Sequence, residues 1–237
     1  TARAYAGEAL QQHEGELARA SQVHANYFLA FTRKLTELTP PFERWGEQNR
    51  TSDLLANVRS ALRWCFSEDG NKDVGVALIA SSWPLFYEMG LLTECGSWAA
   101  RALAAATELD LATEASLCEA VALTGTMAVH SMLQVKTAYS RCLELCRELG
   151  DVGREMRTLA AYNVFITRIG KYQEGLEAAR DFEALSAEAN IPKARLLCGW
   201  MNGTTLAYLG SFAQARLYLE AAVPRYPLVD LSFTAML

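Results

Sequence analysis

The sequence predicts an all-α protein built as an array of antiparallel helix pairs. Three observations carry this. Strand signals are nearly absent: no period-two run is sustained, and the one Asp-Gly pair, Asp69-Gly70, lies between two helical patterns. Apolar residues recur at three- and four-residue steps along most of the 237 residues. From residue 72 onward, helix-length segments alternate with short polar links, and part of the pattern repeats.

The first helix spans 16–38, where Val23, Tyr27, Phe28, Phe31 and Leu35 fall at helical steps. Thr39-Pro40-Pro41 stops it, because Pro40 restricts Thr39 and cannot continue the hydrogen-bond ladder. A second helix covers 52–67. Its central stretch, NVRSALRWCF (57–66), puts Val58, Leu62, Cys65 and Phe66 on one face with Ala61 beside them. Arg59 and Arg63 fall on the solvated back or an interdomain surface, Trp64 lies off the stripe, and Asn57 is expected to bond backbone near the helix start. Ser67 to Asn71 is a turn. Further helices are expected at 73–89, 91–107, 113–130, 134–149, 153–169, 171–188, 193–209 and 211–223. Gly150-Asp151, Gly170-Lys171, Asn190 to Pro192 and Gly210-Ser211 serve as links, and Pro84 is expected to kink its helix.

The repeat is read from IGKYQEGLEAA (169–179) and LGSFAQARLYL (209–219). Each has a glycine, a spacer, an aromatic and then a small residue three further on. MGLLTECGSWA (89–99) is an earlier copy, and a degenerate one around 133–142 keeps Val135 and Ala138. The small residues Cys95, Ala138, Gly175 and Ala215 are 43, 37 and 40 apart. In this reading the glycine ends the first helix, the aromatic plugs the turn, and the small residue lets the second helix lie close on the first.

Composition narrows the functions. A net charge of -5 and a pI near 5.3 argue against this chain gripping nucleic acid directly. No apolar run is long enough for a membrane span. Cys65, Cys95, Cys118, Cys142, Cys146 and Cys198 form no CxxC pair and sit in apolar helical patterns, which fits a reducing, cytoplasmic setting. Cys142 and Cys146 are four apart and could share a metal, but no His, Asp or Glu cluster completes a site, so packing is preferred and no metal or other cofactor is expected. GxxxxGK[ST], HExxH, GxSxG and GxGxxG are absent, and His13, His24 and His130 are isolated in sequence, so no catalysis is expected. Glu144 with Glu148, and Glu174 with Glu177, read as solvated faces, and Trp83, Trp98 and Trp200 as core.

Residues 75–227, best in the copy holding Gly203, Gly210, Phe212, Ala215, Ala222 and Pro227, resemble the tetratricopeptide repeat, with spacings longer than its 34 residues. The resemblance implies a right-handed superhelical solenoid of repeats of about 40 residues. The first hundred residues read ARAYAGEAL (2–10), VHANYFLAF (23–31), Trp45, LLANVRSALRWCF (54–66) and ALIASSWPLFYEMGLLTECGSWAARALA (77–104). That succession resembles the region after the nucleotide-binding module in bacterial predicted ATPases of the signal-transduction (STAND) class, which carry winged-helix or LuxR-type DNA-binding domains. Ala56, Pro84 and Cys95 depart from that pattern. The resemblance implies that 1–72 is a helical linker region, with Arg3 to Ala6 the tail of an upstream winged helix, and that 73–237 is one run of repeats. The opening Thr1 and the apolar helix-like run at the end lead us to expect a piece of a longer protein with more repeats to follow.

Aligned to tetratricopeptide positions, Tyr87, Met127, His130, Arg157, Arg168, Trp200, Thr204 and Tyr208 face the inner groove. Arg157 and Arg168 would either hold an acidic peptide or anion or pair with neighbouring glutamates. The expected role is a non-catalytic sensor and interaction domain of a transcriptional regulator. It would take a peptide, a protein or a small-molecule inducer in the groove and contact other domains of its parent chain. The alternative is a stand-alone adaptor scaffold.

Overall fold

The computed structural model describes residues 15–38, 48–127, 131–190 and 194–222. The Thr39-Pro40-Pro41 stop, Trp45, His13, His130, Pro227 and the 2–10 segment lie outside them. Among the described residues the chain is all-helical. The elements are α1 (Glu16–Leu38), α2 (Gln48–Cys65), α3 (Lys72–Glu88), α4 (Leu92–Ala105), α5 (Leu111–Met127), α6 (Met132–Leu149), α7 (Val152–Arg168), α8 (Tyr172–Glu188), α9 (Ala194–Tyr208) and α10 (Phe212–Ala222). They match the expected helices to within a few residues at each end. Two compact units divide the chain at Ala120/Val121.

Helices α3, α7 and α9 end the same way. Gly90, Gly170 and Gly210 adopt φ of +70°, +80° and +79°. At each, the glycine N–H and the next N–H turn back to carbonyls of the last helical turn. Leu91 N–H reaches Phe86 at 2.9 Å, Lys171 N–H reaches Ile166 at 3.0 Å, and Ser211 N–H reaches Leu206 at 2.9 Å. A left-handed residue closing two such bonds is what a side chain with a Cβ resists. The following helix then starts without a side-chain cap at Leu91 or Lys171. The α3 and α7 starts are capped instead by Asn71 and Asp151, which accept from the N–H groups of Val74 and Arg154.

In the first unit, α3 packs on α1, α2 and α4. Val58, Ala61, Leu62, Cys65 and Phe66 are all buried, so NVRSALRWCF is a core helix. Its back is not simply solvated: Arg59 forms a two-pronged ion pair with Glu94 of α4, at 2.8 and 2.5 Å. Asn57 differs from expectation. Since α2 starts at Gln48, Asn57 sits mid-helix where no free N–H remains; its amide donates to the Asp53 carbonyl at 2.8 Å and lies 3.3 Å from His24. Arg101 donates to the Phe66 carbonyl at 2.6 Å, with its guanidinium over the Phe66 and Trp98 rings.

Helix α3 continues through Pro84, whose missing N–H would have paired with Ala80. Ser116 of α5 takes that place. Its hydroxyl donates to the Ala80 carbonyl at 2.7 Å and accepts from the Trp83 indole at 3.0 Å. One serine thus satisfies a carbonyl freed by proline and the N–H of a buried tryptophan.

In the second unit, consecutive helices α6 to α10 pack on one another, and α7 also touches α9. One core joins Met156, Leu159 and Ala160 of α7 to Ala178, Ala179 and Phe182 of α8 and Leu197, Cys198 and Met201 of α9. The small repeat residues lie at close approaches. A Cβ on Gly175 would sit 2.7 Å from the Thr167 methyl, and the Gly175 carbonyl accepts from Asn163 at 2.7 Å. Asn163 also donates to Thr205 at 3.1 Å, tying α7 to both neighbours. The aromatic after the glycine does not plug its own turn. Tyr172 stacks on Tyr208 of the next pair at 5.1 Å and 11°, whereas Phe212, with no later described helix to lean on, is 71% exposed.

Ser116→Ala should lower unfolding stability by about 1–3 kcal/mol, because two buried partners lose their bonds at once; urea titration measures it, and an unchanged midpoint would contradict the hub. The Arg59 hydrogen bond, opposed by burial and aided by the Arg59 charge, holds the Glu94 carboxyl below its ordinary 4.5. A depressed carboxyl stabilises the fold above its unfolded pKa and loses that effect as pH falls through the folded value. The stability gap between the native chain and Glu94→Gln should therefore be full at neutral pH and shrink below about pH 4.5.

Candidate functional site

Three of the expected groove residues form one surface. Trp200, Thr204 and Tyr208 are four and eight residues apart on α9, which puts them on one helix face. Trp200 is 40% and Tyr208 62% exposed, so Trp200 is not the core residue its type suggested. Thr204 spends its hydroxyl on the Trp200 carbonyl at 2.7 Å and presents its methyl. Tyr208 is braced from behind by Tyr172. The face is therefore aromatic, braced at Tyr208 and uncovered among the described residues.

The other candidates do not join it as one site. Arg157 and Arg168 share a face of α7 but are eleven residues apart, about 16 Å along the axis, too far to grip one anion. Arg168 is exposed and donates to the Thr126 carbonyl at 3.3 Å, beside a hollow lined by Met132, Phe165 and Ile169. Tyr87 belongs to the first unit, half-buried and edge-on to Trp83; burial and then the neighbouring Cys95 push its hydroxyl pKa up. His130 and the Met127 side chain lie outside the described residues.

Two arrangements escaped the sequence reading. Glu174, expected on a solvated face, is held by Lys136 of α6 at 2.7 Å and by the Tyr162 hydroxyl of α7. Burial opposes its ionisation, yet these partners hold its carboxyl below the ordinary value. Burial, together with Glu174, pushes the Tyr162 phenol up. The cluster ties three helices and leaves its carboxylate committed. The second is a hollow of about 430 Å³ between the end of α8, the start of α9 and the end of α10. Glu183, Ser186, Asn190 and Arg195 supply its polar walls, and Ala187, Cys198, Tyr218 and Ala222 its apolar ones. No single motif marks it, because its residues come from three helices.

All six cysteines are free and buried. The Cys142 and Cys146 sulfurs are 4.0 Å apart and Cys142 lies 3.4 Å from the Thr158 hydroxyl. Among the described residues no group of three or more His, Cys, Asp or Glu is placed to hold a metal ion, and no helix is long and apolar enough to cross a membrane. The chain matches no model of a known protein family and no curated protein sequence.

Burial pushes the Cys65 thiol up to about 11 and the Cys95 thiol up to about 12. With all six thiols buried, and the thiolate suppressed at these two, the native chain should react with Ellman's reagent at far fewer than one thiol per molecule on the minute scale. Six should react after denaturation. A fast native thiol would contradict this packing.

Proposed function

We propose that the chain is a non-catalytic, tetratricopeptide-like interaction module whose docking surface is the Trp200–Thr204–Tyr208 face of α9. The observation that carries this is two exposed aromatics on one helix face, one of them stacked on a second ring. Large aromatics left open on one helix face, with Tyr208 stacked on Tyr172, are the residue types that anchor protein interfaces. A braced ring loses little conformational freedom on binding, so contact area converts into affinity with a small ordering cost. Repeats that recur near 40 residues with shared glycine turns support a superhelical array presenting such faces in series.

The parent in this reading is a bacterial STAND-type transcriptional regulator acting in the cytoplasm. Occupation of the α9 face by a peptide, a protein or an inducer shifts the regulator between closed and assembly-competent states. The succession of motifs in the first hundred residues supports that assignment, and the six free thiols suit a reducing compartment.

A photo-crosslinking amino acid at position 204 should capture a discrete partner in cells. The same crosslink should drop at least about tenfold with Trp200→Ala or Tyr208→Ala, while the thermal midpoint stays within a degree or two. A crosslink equally strong in both variants would remove the docking role. Sequencing the parent reading frame tests the regulator assignment separately: a phosphate loop and a basic DNA-binding domain upstream are expected, and a start codon just before Thr1 would leave an adaptor scaffold instead.

A further inference from the structure

We infer that the hollow at the α8–α9–α10 ends is a binding site for a small zwitterion, an α-amino acid with an apolar side chain. The inference is independent of the α9 docking face. It rests on two opposite charges that share a cavity and do not pair. Elsewhere in the second unit several acidic residues are matched: Glu155 with Arg147, Asp151 with Arg154, Glu174 with Lys136 and Glu220 with Arg216. In the hollow, Arg195 is exposed and has no hydrogen-bond or ion-pair partner among the described residues, and half-buried Glu183 is held through one oxygen by Asn202 at 3.2 Å. The Glu183 charge also acts on the buried Cys198 thiol, which places the carboxylate beside the inner wall.

A lone cation would satisfy Glu183 and leave Arg195 open; a lone anion would do the reverse. A molecule carrying both charges satisfies both, its ammonium on Glu183 and its carboxylate on the guanidinium, where charged hydrogen bonds are strongest. Ala187, Cys198, Tyr218 and Ala222 also line the hollow and suit an apolar side chain. The volume of about 430 Å³ is at the small end of ligand pockets and fits a single amino acid. The Asn202 bond holds the Glu183 carboxylate in place before the ligand arrives.

The test is calorimetric titration of the full 237-residue chain with L-phenylalanine and L-leucine, alongside 2-phenylethylamine and 3-phenylpropionate. At least one amino acid should bind, and at least about tenfold more tightly than either single-charge analogue. Arg195→Gln touches no other described contact and should weaken binding at least about tenfold without changing the fold; Glu183→Gln should do the same. Trp200→Ala should leave this binding unchanged, which separates the outcome from that of the docking face. Failure of both amino acids to bind overturns the inference, as does equal binding by Arg195→Gln or by an analogue lacking one charge.

Discussion

Everything in this fold depends on stopping a helix and reversing the chain within two residues. The left-handed glycine after α3, α7 and α9 does this with two backbone bonds and no side chain. The next helix then starts inside the turn, so its direction is set by backbone geometry alone. Five residues on comes a small residue, Cys95, Gly175 or Ala215, each buried where the second helix crosses the first. The fixed offset between turn and small residue makes each pair close in one register. A bulkier group at either point would push the helices apart, and with them the faces that α9 and its neighbours present.

The core is held by more than apolar contact. Among the described residues no buried side-chain nitrogen or oxygen lacks a hydrogen-bond partner. Several of the partners lie on another helix: Ser116 with Ala80, Asn163 with Gly175 and Thr205, Tyr139 with Thr126, Asn202 with Glu183. A polar group buried in one helix and bonded to another penalises any slip between them. Apolar packing supplies most of the driving force; these bonds select the arrangement.

Much of this is legible in the sequence, because it is local. A 3.6-residue period, a glycine link and a small residue at fixed offset are read within one or two helices, and α1 to α10 follow from them. The same holds for Val58, Leu62, Cys65 and Phe66, whose spacing alone marks a buried face. What was not legible is non-local. The role of Ser116 depends on Pro84, 32 residues earlier, and Tyr172 finds Tyr208 rather than its own turn. Glu174 looks solvated until α6 and α7 bring Lys136 and Tyr162 to it. The α9 stripe sits between these cases: its spacing gives the face, but the exposure of Trp200 follows from which helices cover α9 and which do not.

The buried thiols have a practical side. Cys65, Cys95, Cys142 and Cys146 are fully enclosed, so replacing them to make a cysteine-free chain would open voids in both units. Such replacement is also unnecessary. A single cysteine placed on an exposed face of α9 or α10 would be chemically alone against a silent background. Spin labels or fluorophores attached there could follow distances within the second unit while the native core stays intact.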